Sequence, residues 1–130
     1  MDELVLRYER DDDPNACGPL IVIVGSKGFS GRCDHAYVSE EWLADLGRRL
    51  RAYPLPEAGV REDLTIGGDE GFAISALPEN SRGHIALSIK VFGDDDHRVE
   101  VKMITDYAAL DQFGRALVAV ANKGGGEARL

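Results

Sequence analysis

Basic residues are in short supply. Fifteen Lys and Arg face 23 Asp and Glu across 130 residues, leaving a net charge of −8 and a pI near 4.8. A nucleic-acid or anionic-membrane binder needs a basic footprint, so this balance argues against both classes. Long apolar runs are missing too. The longest, Leu20 to Val24, falls far short of the roughly 20 residues that a bilayer crossing needs. Met1-Asp2-Glu3 is acidic from the start, so no export signal is expected and a cytoplasmic location is. Cysteine is nearly absent. Cys17 and Cys33 form neither a Cys-x-x-Cys pair nor a Cys-His pair at zinc spacing, and two reduced thiols are expected. A bridge stays open if the two flank neighbouring strands. No His or Lys sits at a telling spacing around either thiol, which argues against a nucleophile.

What is present is enough for one core. The chain is 44% hydrophobic and 29% charged, and its length suits a single domain. Residues 1–123 read as one α+β domain and 124–130, which open on three glycines, as a flexible C-terminal tail.

Alternation at period two dominates. Leu4, Leu6 and Tyr8 alternate with Val5, Arg7 and Glu9 as a first strand with one buried face, and Leu20 to Val24 is apolar on both faces. Gly25-Ser26-Lys27-Gly28 turns the chain into a third strand, Phe29 to Val38. Ser39 then caps a helix with Glu40 and Glu41 in its first turn and Arg48, Arg49 and Arg51 near its end. Its stripe is Trp42, Leu43, Leu46, Leu50 and Tyr53, and Trp42 reads as core or half-core. Four more strands follow, around residues 64–66, 72–77, 84–92 and 97–105. Asp106 caps a second helix striped by Leu110, Phe113, Leu117 and Val120. The expected fold is an antiparallel sheet of about seven strands with both amphipathic helices on one face, in the order βββα-ββββα.

A hint of internal repetition accompanies this order. Offsetting the chain by 67 residues pairs Ser39 with Asp106, Leu43 with Leu110, Leu46-Gly47-Arg48 with Phe113-Gly114-Arg115, and Leu50 with Leu117. Convergent amphipathic patterning accounts for the match as well as duplication does.

The chemical motifs are few. Gly25-Ser-Lys-Gly28 resembles a phosphate cradle, but its Lys precedes the second glycine and a strand follows, so a hairpin turn is expected. Gly28-Phe29-Ser30-Gly31 is one residue short of a nucleophile elbow. His35, His84 and His97 fall on or beside strands with no ligand spacing between them. No catalytic residue, metal site or cofactor is assigned.

Acid is the distinctive feature. Asp11 to Asp13, Asp69-Glu70 and Asp94 to Asp96 sit in expected turns, and the last run lacks the rhythm of a calcium loop. Alternate turns of a meander share one end of the sheet. Asp69, Glu70, Asp94, Asp95 and Asp96 should therefore converge there, about 10 Å apart across two strand spacings. Five carboxylates on one rim suit a basic protein partner, although solvated turns explain them too.

The order of motifs adds a resemblance. Gly28-Phe29-Ser30-Gly31 opens a strand, and a Glu-rich cap leads to Trp42-Leu43 and Leu46-x-x-x-Leu50. Phe72-Ala-Ile-Ser75 and Gly83-His84-Ile85-x-Leu87 follow, and Asp106-Tyr107 caps the closing helix. Over roughly residues 20 to 120 the chain resembles the WapI-type immunity proteins of bacteria. The resemblance implies a small cytoplasmic protein that neutralises a cognate toxin by binding it, with no catalytic residues to carry over. Where the family pattern has aromatic residues, this chain has Asn15-Ala16-Cys17-Gly18-Pro19.

The sequence thus points to a non-enzymatic binding protein, an immunity protein whose acidic surface caps a basic toxin domain. The alternative is a small-ligand or regulatory domain with a pocket between sheet and helices. Self-association stays open.

Overall fold

Two capped helices divide the chain. A computed structural model describes residues 2–11, 17–66, 70–79, 82–93 and 97–130, without the side chains of His35, Thr65, Ile66 and Glu70. In α1 (Glu40–Leu50) the Ser39 hydroxyl accepts the Trp42 amide at 3.0 Å. In α2 (Tyr107–Lys123) the Asp106 carboxylate accepts the Ala109 amide at 2.8 Å, and left-handed Gly124 ends the helix. Each cap satisfies an amide that the first turn leaves without an intrahelical partner.

Strands β1 (Glu3–Glu9), β2 (Cys17–Ser26) and β3 (Phe29–Ser39) precede α1. Strands β4 (Val60–Ile66), β5 (Glu70–Pro78), β6 (His84–Phe92) and β7 (Arg98–Asp106) lie between the helices, and β8 (Gly125–Arg129) closes the chain. The expectation of one seven-stranded sheet is overturned. The described strands form two four-stranded antiparallel sheets, ordered β3-β2-β1-β8 and β4-β5-β6-β7. Period-two patterning says which face of a strand is dry and leaves its neighbour undetermined. Here α1 carries the chain away from β3. Gly31 of β3 lies against the inner face of the second sheet, so close that an added Cβ would meet that of Val99 at 3.2 Å. A strand pressed on a sheet's face is not also paired at its edge.

Residues 124–130 are not a flexible tail. Five of them form β8, which pairs with β1 from Gly125↔Glu9 to Arg129↔Val5 and buries Ala128 completely. A short Gly-rich sequence carries almost no periodic signal, so pairing with a waiting edge decides its conformation. The Lys27-Gly28 pair forms the expected two-residue hairpin, both residues with positive φ.

One apolar cluster joins both sheets and both helices. Leu43, Leu46, Leu50, Leu110, Phe113 and Leu117 are buried in it with Ile85, Leu87, Ile89, Val101 and Met103, while Val99 is half-buried at its margin. Trp42 is half-buried and meets Phe72 edge-on at 6.1 Å, fastening α1 to the inner face of β5. The helices meet at two glycines. A Cβ on Gly47 would lie 2.6 Å from the Gly114 carbonyl oxygen, and one on Gly114 would lie 2.5 Å from that of Gly47.

Those glycines mark a two-fold relation between the halves. β1-β2-β3-α1 matches β5-β6-β7-α2 element by element, and the strand after each helix joins the other half's sheet: β4 pairs with β5, β8 with β1. The registers agree as well. Cys17↔Ser39 and Leu20↔Ala36 correspond to His84↔Asp106 and Leu87↔Met103, each residue 67 positions further on. Beyond Leu20 a bulge in the first pair breaks the correspondence.

Candidate functional site

The two halves differ most on their outer faces. In the first sheet Val5 lies between Arg129 and Ile23 in register and is only 1% exposed although it points away from the helices. Ile21 and Ile23 are half-buried beside it. Arginines surround this apolar stripe, with Arg7 and Arg129 bonded to Glu127 at 3.0 and 3.1 Å and Arg32 to Asp34 at 2.5 Å. Long arginine stems cover apolar surface while their heads stay wet. That face is closed by its own side chains.

The corresponding face of the second sheet is open. Its strands place Ala73, Ser75, Ala86 and Ser88 in the middle, where the first sheet has larger side chains. Small residues flanked by long ones leave a trough of about 1070 Å3. Its walls are Arg61 and Asp63 on β4 and Glu100 and Lys102 on β7. Asp2 and Lys27, from the end of the first sheet, reach its rim. Phe72 meets Trp42 of α1, so the side chains of Ala73 and Ser75, which alternate with it, put the trough on the side turned away from the helices. A pocket between sheet and helices, the ligand-binding alternative, is not where the described cavity lies.

Register arranges the lining in rows across the strands. Arg61, Ser75, Ser88 and Lys102 form one row; Asp63, Ala73, Lys90 and Glu100 form the next. On the other side of the hydroxyl row lie Leu77, Ala86 and Ile104, with Ile104 53% exposed. Glu100 is shared, 3.5 Å from the Lys90 ammonium and 3.8 Å from that of Lys102. Four cations and five carboxylates line the trough, so the site is polar and nearly balanced in charge.

Asp69, Asp94, Asp95 and Asp96 lie outside the described residues, and of Glu70 only the backbone is described, paired with Ile66. The strand ends flanking both turns do share one end of the sheet, since Gly71 pairs with Thr65 on one side and Phe92 on the other. His84 and His97 are exposed, and the His35 side chain lies outside the description. Among the described residues no three His, Cys, Asp or Glu side chains gather as metal ligands. Cys17 and Cys33 form no disulfide. No helix among the described residues is long and apolar enough to cross a membrane.

Sequence reasoning missed the serines and alanines of the trough. Their signal was present in Ala73-Ile-Ser75 and Ala86-Leu-Ser88: two neighbouring strands whose wet positions carry small residues instead of the long charged ones that usually cover a solvated face.

No protein-family model matches the chain, and no curated protein matches it. The WapI-type resemblance is carried by its short motifs alone.

Proposed function

We propose that this chain is a non-catalytic binding protein whose partner docks on the outer face of β4-β5-β6-β7. The observation that carries this reading is the contrast between the two halves. One frame is built twice, and the second copy has an open outer face lined with paired hydroxyls and charges, where the described residues of the first carry large apolar side chains and arginines. A face that needs only solubility is served by long charged side chains; a small-residue floor between charged walls supports occupation by another molecule.

The partner we favour is a basic protein, with the chain acting as an immunity protein that holds a toxin domain inactive. The net charge of −8 supports such a pairing by steering and complementarity. The acidic turns at Asp69-Glu70 and Asp94 to Asp96 would add to the attraction. The test is growth protection: co-expression with the toxin domain encoded beside its gene should restore growth, and purified protein should form a stable complex with that domain. Continued killing with no complex would refute the immunity reading.

A further inference from the structure

Along the strands the trough changes chemistry in steps. One row ends in Arg61 and Lys102 with the Ser75 and Ser88 hydroxyls between them, and the next is apolar, Leu77, Ala86 and Ile104. We propose that this pair of rows seats the C-terminal residue of the docked protein, its carboxylate on the serine row and its apolar side chain on the Leu77-Ala86-Ile104 row. The proposal rests on the docking reading above and names what that face recognises.

Distances in the sheet suit such a residue. Directly opposed residues on paired strands lie about 5 Å apart, so both serine hydroxyls reach one carboxylate, which accepts through two oxygens. Arg61 and Lys102 stand one strand spacing, about 4.8 Å, further out on either side, close enough for their long side chains to bend inward. Rows on one face are about 7 Å apart along the strand, the reach from a terminal carboxylate to the tip of a Leu or Phe side chain on the same Cα. Capture of a terminal carboxylate is a recurrent way of recognising a chain end.

Local charge favours one carboxylate over a more highly charged anion. The serine row holds two cations, Arg61 and Lys102, and Glu100 of the neighbouring row lies 3.8 Å from the Lys102 ammonium, so little positive charge is left over. A phosphate-rich ligand would need more, and would meet the repulsion of a chain at −8. An acidic side chain in mid-segment would supply the carboxylate without an apolar group on the same residue.

The test uses the full chain, isotopically labelled, and three small probes: N-acetyl-leucine, its amide, and acetate. N-acetyl-leucine should shift the backbone signals of Ser75, Leu77, Ala86 and Ser88, while the amide and acetate should each bind about tenfold or more weakly, the cost of one lost charge-assisted contact or of the apolar seat. Ser75→Ala with Ser88→Ala should weaken N-acetyl-leucine by a similar factor of about ten while leaving the thermal melt in place. Equal binding of acid and amide, indifference to the serine replacements, or shifts confined to other parts of the chain would each overturn the proposal. If the probes fail while the partner still binds in a trough-dependent way, the terminal-carboxylate seat is wrong and the docking face is not.

Discussion

At the scale of single residues the crossing of α1 and α2 is the most exacting contact. Gly47 and Gly114 face each other's carbonyl oxygens across a gap that holds no methyl group. In an exposed helix interior Gly→Ala stabilises by roughly 1 kcal/mol. Here Gly47→Ala or Gly114→Ala should destabilise by about 1–3 kcal/mol, because the helices must part to admit a Cβ. Denaturant melts read the sign directly, and a gain in stability would place the crossing elsewhere. A second residue guards the same crossing. Hydrogen bonds from Arg51 and then Arg115 hold the Asp111 carboxyl below its ordinary value of 3.8. A carboxyl depressed in the folded state contributes stability that is fully present above the unfolded value and is lost as pH falls through the folded one. Melting temperature should therefore drop on acidification below about pH 4, and Asp111→Asn should flatten its share of that drop. The share is small, since the group is solvent-screened. An identical acid limb in the variant would show that the Arg51–Asp111–Arg115 contact contributes nothing.

At the scale of elements the sequence was legible wherever period and caps agree. Ser39 and Asp106 announce both helices, and the alternation in 84–92 and 97–105 announces β6 and, within one residue, β7. The meander of β4 to β7 was legible, but the split into two sheets was not. Nothing in Phe29–Ser39 or Val60–Ile66 says that β3 and β4 belong to different sheets, since that is decided by where α1 delivers the chain. β8 was hidden for a different reason: Gly125-Gly-Glu-Ala-Arg129 has one buried position, Ala128, and no pattern to read. Its weight is nonetheless testable. Deleting residues 125–130 uncovers the edge of β1 and removes the Glu127 carboxylate, which Arg7 first and Arg129 second hold below its ordinary value. The loss should be at least about 2 kcal/mol, the sum of several ladder hydrogen bonds and one buried side chain. A cost below about 0.5 kcal/mol, the range of ordinary surface changes, would mean that the tail does not hold β1.

At the scale of the whole molecule, two matching halves exchange their last strands about a glycine crossing and differ in what they leave open. The 67-residue offset was visible in the helices, and the shared registers of β2–β3 and β6–β7 extend it to the sheets. The trough was not visible, because it depends on register across a turn that the sequence does not measure: Ser75 falls opposite Ser88 only in the observed pairing of β5 with β6. Acid in turns is conspicuous as charge, whereas small residues act through the space they leave. The central claim is that this space is the binding site. Association of the purified chain with the proposed basic partner, the toxin domain, measured for the wild type, Ser88→Trp and Arg32→Ala, tests it most directly. Ser88→Trp fills the trough and should weaken binding by about a hundredfold or more, the effect of obstructing the centre of an interface. Arg32→Ala, on the closed face of the first sheet, should leave binding unchanged. Undiminished binding by Ser88→Trp, or a loss confined to Arg32→Ala, would contradict the account.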